Sequence, residues 1–196
     1  MIKHQDACEF LQDQPNSSID LILTDPPYEI SRSSGFIDSL TKPDGTPQTE
    51  KTLRRFAVDL DFGEWDKQKL SESPKTGEPS ELSKHLCEMY RVLKPGGTMI
   101  MFYDLWKITT LKDMMKGCKF KQIRFIEWIK TNPVPINSKV NYLTNAREIA
   151  LLGVKKSKPT FNSKYDNGIY KYPIYHGKDR IHPTQKSLKL FEDLIN

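Results

Sequence analysis

A carboxylate, two prolines and a tyrosine follow one another as Asp25-Pro26-Pro27-Tyr28. They come directly after 19–24, a short apolar run rich in Ile and Leu that is typical of a strand buried in a sheet. Open α/β sheets bind their ligands at the carboxyl ends of strands, and prolines stiffen the backbone there. Rigid polar acceptors beside an aromatic ring could hold a planar base. The same residues could also form an ordinary turn, since Asp-Pro and Pro-Pro often end a strand.

The elements that must position these residues alternate between helices and buried strands. Helices are predicted over 7–13, from a Ser80 cap through 93, over 105–115, and from Pro183 or Thr184 to the end of the sequence. Strands are predicted over 19–24, 98–103, 119–130 and 148–154. This alternation is typical of an α/β sheet. A long polar segment at 29–79 is predicted as a loop or insertion, the kind of segment that often binds or covers a substrate.

Composition narrows the possible classes of protein. The 196 residues suit one compact domain, and the formal net charge of +5 favours a polyanionic partner without requiring one. No apolar run reaches the roughly 20 residues of a membrane span, so a cytoplasmic protein is expected. The three cysteines form neither a disulfide framework nor a metal-binding motif, and we expect them to be buried reduced thiols.

Asp25-Pro26-Pro27-Tyr28 resembles the DPPY motif of the DNA amino-methyltransferases, the N6-adenine/N4-cytosine DNA methylase family. Three further segments resemble motifs of that family in the same order along nearly the whole chain: LKPGG at 93–97, EWIKTNP at 127–133 and HPTQK at 182–186. The order, with the catalytic motif first, resembles the permuted β class. The resemblance implies a Rossmann-like, S-adenosylmethionine-dependent methyltransferase fold with a mostly parallel sheet.

The resemblance also implies a reaction, which is methyl transfer from S-adenosylmethionine to the N6 amine of an adenine flipped out of DNA. In this family the DPPY motif is catalytic, so Asp25, Pro26, Pro27 and Tyr28 are the candidate catalytic residues. The Asp25 carboxylate and the Pro26 carbonyl would accept hydrogen bonds from the amine, and Tyr28 would stack on the base. No metal is implied. Methylation of cytosine N4 is the nearest alternative.

Cofactor contacts are implied at three places. The HPTQK segment lies at the family's cofactor pocket, which indicates His182, Thr184, Gln185 and Lys186, whose donors could bind the methionine carboxylate. Taken by itself, that segment could simply begin a helix. Asp25 would also face the cofactor. Asp6 and Ala7 are the third place, in a segment at 5–11 that resembles the family's GDxLExL, with glutamine in place of the glycine.

The sequence departs from the family in one respect, since it contains no glycine-rich FxGxG loop for the cofactor. Its ten glycines are scattered, and their only adjacent pair belongs to LKPGG. We therefore expect an incomplete cofactor half and an open edge at strand 19–24. A truncated chain, a half-enzyme completed by a second subunit or a homodimer, and a non-catalytic DNA-binding subunit all remain open. The lysine- and tyrosine-rich connector at 155–180 could contact DNA, or it could be a solvated loop.

Overall fold

The computed structural model describes residues 3–27, 70–72, 78–133, 144–181 and 185–196. Within these residues one mixed sheet is covered by helices on both faces. The helices are α1 (Ala7–Gln12), α2 (Glu81–Val92), α3 (Ile108–Gly117) and α4 (Leu188–Ile195), and a short 3₁₀ helix, Leu105–Lys107, precedes α3. The strands are β1 (Ile19–Thr24), β2 (Leu93–Tyr103), β3 (Lys121–Lys130), β4 (Arg147–Val154) and β5 (Ile169–Tyr172).

The strand order is β1-β2-β4-β3-β5. β1 is parallel to β2 and β3 is parallel to β5, whereas β4 is antiparallel to both of its neighbours. The expected mostly parallel sheet is therefore wrong, and the sheet is mixed. The reason lies in β3 and β4, which follow each other in the chain and pair directly, as antiparallel strands can without a crossover. Among the described residues, β1 pairs with β2 and lies at one end of the sheet.

The two faces of β2 carry two hydrophobic cores. Met99, Met101 and Tyr103 pack with α1, α2 and α3 on one face, while Ile100 and Phe102 pack with α4 on the other. This division follows from the strand, because alternate side chains point to opposite faces. α4 is stacked on the sheet through a ring contact between Phe102 and Phe191, whose centroids are 5.8 Å apart. The sheet is thus fixed on both sides.

Helix α2 begins and packs as its sequence predicts. The Ser80 hydroxyl accepts a hydrogen bond from the Ser83 amide at 3.3 Å, which is the usual role of a serine cap. Leu82, Leu86 and Met89 recur at helical spacing and are buried. β1 also has the bounds that the sequence predicts. Strand β2 begins directly after α2, with no residue between them.

LKPGG belongs to strand β2 rather than to a turn before it. The Gly96 amide donates to the Lys155 carbonyl at 2.7 Å, and the Lys155 amide donates to the Gly97 carbonyl at 3.0 Å. On the other side, Ile19 of β1 pairs with Leu93, so β2 begins five residues before the predicted start at Thr98. Strand β5 lies inside the predicted connector and was not predicted at all.

Two further expectations are wrong. The last helix begins at Leu188, with Ser187 as its cap, rather than at Pro183 or Thr184. Cys87 and Cys118 form a disulfide instead of remaining thiols, because the packing of α2 against α3 brings their Cα atoms to 5.0 Å despite a separation of 31 residues. In the part of the chain that the structure describes, no helix is long and apolar enough to cross a membrane.

Candidate active site

Asp25 lies at the carboxyl end of β1, as the sequence predicts. The parallel pairing of Thr24 with Met101 brings the ends of β1 and β2 to the same edge of the sheet. Pro26 and Pro27 follow Asp25 at this edge, whereas Tyr28 is outside the described residues. The edge is where open α/β sheets bind ligands.

Lys186 joins the HPTQK segment to this strand end. Its Nζ lies 2.9 Å from Asp25 Oδ2 and 2.7 Å from Glu148 Oε2. The Lys186 side chain is only 10% exposed, and its Nζ also lies over the Phe102 ring, 5.6 Å from the centroid. Two motifs far apart in the sequence therefore meet through an ion pair. Lys186 lies before α4, which begins at Leu188, and not within it.

Two residues that the sequence analysis missed complete this arrangement. Glu148 is on β4, opposite Trp128 of β3, and Lys130 is the last residue of β3. Lys130 Nζ lies 2.7 Å from Glu148 Oε1, and the two side chains are 12% and 22% exposed. We call Asp25, Lys186, Glu148 and Lys130 the charge network. In the sequence, the sign of this role is a glutamate directly before the buried residues of β4. Its partners cannot be identified without the strand register.

The charge network contains two cations and two anions. Burial acts to raise the pKa of Glu148, but Lys186 and Lys130 outweigh burial and hold that pKa below its ordinary value. Burial acts to lower the pKa of Lys186, but Glu148 and Asp25 raise it above its ordinary value. Glu148 and Lys186 are therefore both ionised at neutral pH.

Strand β3 and the residues after it hold the segment that leads to Lys186. Trp128 is buried, and its Nε1 donates to the Tyr172 carbonyl at 2.9 Å. The Asn132 side chain accepts from the Ile174 amide at 2.6 Å and donates to the Ile174 carbonyl at 3.4 Å. These bonds fix β5 and the residues after it beside β3. The EWIKTNP segment thus supports the site in addition to supplying Lys130.

The remaining candidates for the cofactor have structural partners or lie outside the described residues. Asp6 caps α1, since its Oδ1 accepts from the amides of Cys8 at 2.8 Å and Glu9 at 3.2 Å, and Ala7 is the first residue of that helix. Gln185 Oε1 accepts from the Ile181 amide at 3.0 Å. His182, Pro183 and Thr184 are outside the described residues. A cofactor role for these residues stays a prediction.

The chemistry of the donor set can be compared with that of S-adenosylmethionine, which carries an amine, ribose hydroxyls and a carboxylate. The carboxylates of Asp25 and Asp6 suit the amine and the hydroxyls, which are hydrogen-bond donors. The Lys186 ammonium suits the cofactor carboxylate, but it is paired with Asp25 and Glu148. Within the described ranges there is no group of three or more His, Cys, Asp or Glu side chains that could hold a metal ion.

Solved structures of DNA methyltransferases share this fold. The cytosine-N4-specific PvuII DNA methyltransferase matches with a TM-score of 0.63 and 13% identity, over 97% of this chain and 67% of that one. The M1.HpyAVI–SAM complex matches with a TM-score of 0.60 and 22% identity, over 100% of this chain and 74% of that one. At these identities the likeness concerns the fold alone. The chain thus has the α/β fold of these methyltransferases, with a mixed sheet.

The sequence identifies the family. The family model described as DNA methylase, that of the N6/N4 methylases, matches residues 19–196, and the chain belongs to this family of S-adenosylmethionine-dependent DNA methyltransferases.

Two curated relatives extend the match over nearly the whole chain. Type II methyltransferase M2.DpnII of Streptococcus pneumoniae is 29% identical over 211 residues, which cover 100% of this chain and 71% of the relative. M.HinfI of Haemophilus influenzae is 30% identical over 212 residues, which cover 97% of this chain and 53% of that relative.

Proposed function

We propose that this chain transfers a methyl group from S-adenosylmethionine to the N6 amine of an adenine flipped out of duplex DNA. The observation that carries the proposal is the Asp25 carboxylate, which is held at the end of β1 by Lys186 and followed by two prolines. The names of the curated relatives, which are type II methyltransferases, support a role in a restriction-modification system.

The chemical problem is the low nucleophilicity of adenine N6, whose lone pair is delocalised into the ring. An acceptor for the amine protons favours a more tetrahedral nitrogen, and we assign this to the Asp25 carboxylate and the Pro26 carbonyl. Tyr28 would stack on the flipped base. When bound, S-adenosylmethionine supplies a methyl group on a cationic sulfur. Alignment of the amine with that methyl group can contribute about 7–11 kcal/mol to lowering the barrier.

The surface is consistent with a polyanionic substrate. The net charge of +5 favours DNA through the release of counterions from the phosphates. In the connector, Tyr170, Tyr172 and Tyr175 donate to the carboxylates of Asp166, Asp193 and Asp179, whereas Tyr165 is 90% exposed. Of these four tyrosines we therefore propose Tyr165 as the one that contacts DNA.

The test combines cofactor binding with product analysis. Calorimetric titration of the purified chain with S-adenosylmethionine is expected to give micromolar binding. Incubation with duplex DNA, followed by mass spectrometry of the nucleosides, is expected to give N6-methyladenine. Detection of N4-methylcytosine alone would show that the methylated base is cytosine instead of adenine. DNA binding by a folded chain with neither cofactor binding nor product would favour a non-catalytic subunit, or one that needs a homodimeric or second-subunit partner.

Two aspartates of this region provide a matched pair of variants. Asp25→Ala is expected to abolish methyl transfer while leaving salt-dependent DNA binding. Asp20→Ala is the control, because Asp20 pairs with Lys94 on the surface, at 2.7 Å and with an 80% exposed side chain. It is expected to keep full activity. Turnover by Asp25→Ala would refute the role of Asp25.

A further inference from the structure

We propose that Glu148 is a positioning residue for methyl transfer. Lys130 anchors Glu148, and Glu148 fixes the Lys186 ammonium against Asp25 Oδ2. The inference rests on the proposed function, because it assigns a task to residues behind the proposed catalytic carboxylate. Glu148 acts through Lys186.

The first step is the geometry of Lys186. A lysine ammonium is a compact charge on a flexible stem, so one partner alone would not define its position well. Here the ammonium is held between two carboxylates, at 2.9 Å from Asp25 and 2.7 Å from Glu148. The adjacent Ser187 is 6% exposed, and its carbonyl accepts a hydrogen bond from the Phe191 amide at 3.3 Å at the start of α4, so the backbone at this point is also held. Lys186 is thus held at both its backbone and its ammonium group.

The second step concerns how the positive charge is shared. With Asp25 as its main counter-ion, Lys186 would bind that carboxylate strongly and weaken it as an acceptor for the amine. Glu148 shares the Lys186 charge, because its Oε2 also contacts the ammonium. The other oxygen of Glu148, Oε1, lies 2.7 Å from Lys130 Nζ. Glu148 is therefore oriented from β3 and presents Oε2 to Lys186. In this way the network keeps Asp25 in place while Glu148 shares the charge of Lys186.

A matched pair of glutamates tests the proposal. Glu148→Gln removes the charge and keeps the shape. Glu127→Gln is the control, because Glu127 lies on the adjacent strand and pairs with the exposed Arg147 at 3.4 Å, outside the network. We expect Glu148→Gln to lower kcat by up to about 100-fold, the order caused by a small misplacement of a reacting group, with KM for DNA nearly unchanged. Glu148→Asp, which keeps the charge, is expected to recover part of kcat, and Glu127→Gln is expected to match the parent chain.

A spectroscopic readout separates positioning from general loss of structure. The Nζ resonance of Lys186 can be observed in ¹⁵N-lysine-labelled protein and assigned by its loss in Lys186→Met. It is expected to shift in Glu148→Gln and to stay unchanged in Glu127→Gln. If Glu148→Gln does not fold, Lys130→Met removes the anchor of Glu148 instead, and it should move the same resonance and lower kcat.

The outcomes distinguish the inference from the proposed function. An unshifted Lys186 resonance, or an unchanged kcat in folded Glu148→Gln, overturns the positioning role even if the parent chain methylates adenine. If the parent chain methylates neither adenine nor cytosine, the proposed function fails. The resonance then still decides whether Glu148 holds Lys186 against Asp25.

Discussion

Replacement of Gly96 by alanine should destabilise the chain strongly, although this glycine is remote from the charge network in sequence. Gly96 has a φ of +85°, and a Cβ built on it would lie 2.6 Å from the Lys158 carbonyl oxygen. The left-handed backbone costs an alanine about 1–2 kcal/mol, and relieving an overpacked contact costs about 1–3 kcal/mol more. We therefore expect Gly96→Ala to lower the free energy of unfolding by about 2–5 kcal/mol.

Gly117 provides a control for the Gly96→Ala substitution. Gly117 ends α3 without a positive φ, and beyond its chain neighbours and the backbone of α3 no heavy atom lies within 4 Å of the position that an added Cβ would take. Gly117→Ala should therefore stabilise the chain by about 0.4–1 kcal/mol, because alanine restricts the unfolded state and favours the helix. Urea unfolding followed by circular dichroism measures both changes, provided that the urea dependence of the free energy is the same in each variant.

The refuting result is a Gly96→Ala chain that unfolds at the urea concentration of the parent. It would mean that the segment around Lys158 yields at little cost, and that the contact between LKPGG and the end of β4 does not restrain the sheet. The expected result would assign LKPGG to the framework of the fold. On that basis, folded Gly96→Ala should keep the kcat of the parent chain at low temperature.

Two other predictions concern the disulfide and the charge network. Reduction of Cys87–Cys118 should lower the free energy of unfolding by about 3–4 kcal/mol, the loop entropy for a separation of 31 residues, and an unchanged urea midpoint in reductant would contradict this. Because the pKa of Glu148 is lowered on folding, its contribution is present above the ordinary value of 4.5 and is lost as the pH falls through the lowered pKa. Because the pKa of Lys186 is raised, its contribution is present below the ordinary value of 10.5 and is lost as the pH rises through the raised pKa. Urea titrations across this range should show a weaker acid dependence in Glu148→Gln, and identical curves would refute the assignment.

The parts of the fold that the sequence predicts well are those with local causes. β1 was predicted with its observed bounds because an apolar run is ended by Asp25 and two prolines. α2 was predicted because Ser80 caps a helix with buried residues at helical spacing. The direction of β4 has no local cause, because helices cover both faces of this sheet and a strand buried on both faces is apolar whichever way it runs. The mixed sheet therefore could not be predicted from periodicity.

In the candidate site, too, the sequence predicts individual residues but not the contacts between them. Asp25 and Lys186 were predicted from the motifs that contain them, but nothing local indicates that they touch. Their contact depends on the position of Lys186 before α4, where a proline had suggested a helix start. Glu148 and Lys130 depend on the register that places Glu148 opposite Trp128. Such pairings over long sequence distances are decided by tertiary packing.

The charge network itself argues for a functional requirement. Removal of ions from water is costly, and replacement of a buried ion pair by well-packed apolar residues is often neutral or stabilising. The largely buried charges of Lys186, Glu148 and Lys130 are therefore a poor means of stabilising a fold whose two cores already cover the sheet. The arrangement is better explained by a need to hold the Asp25 carboxylate in one orientation at the end of β1. The network can do this because it joins two carboxylates to two lysines, and Lys186 contacts both carboxylates.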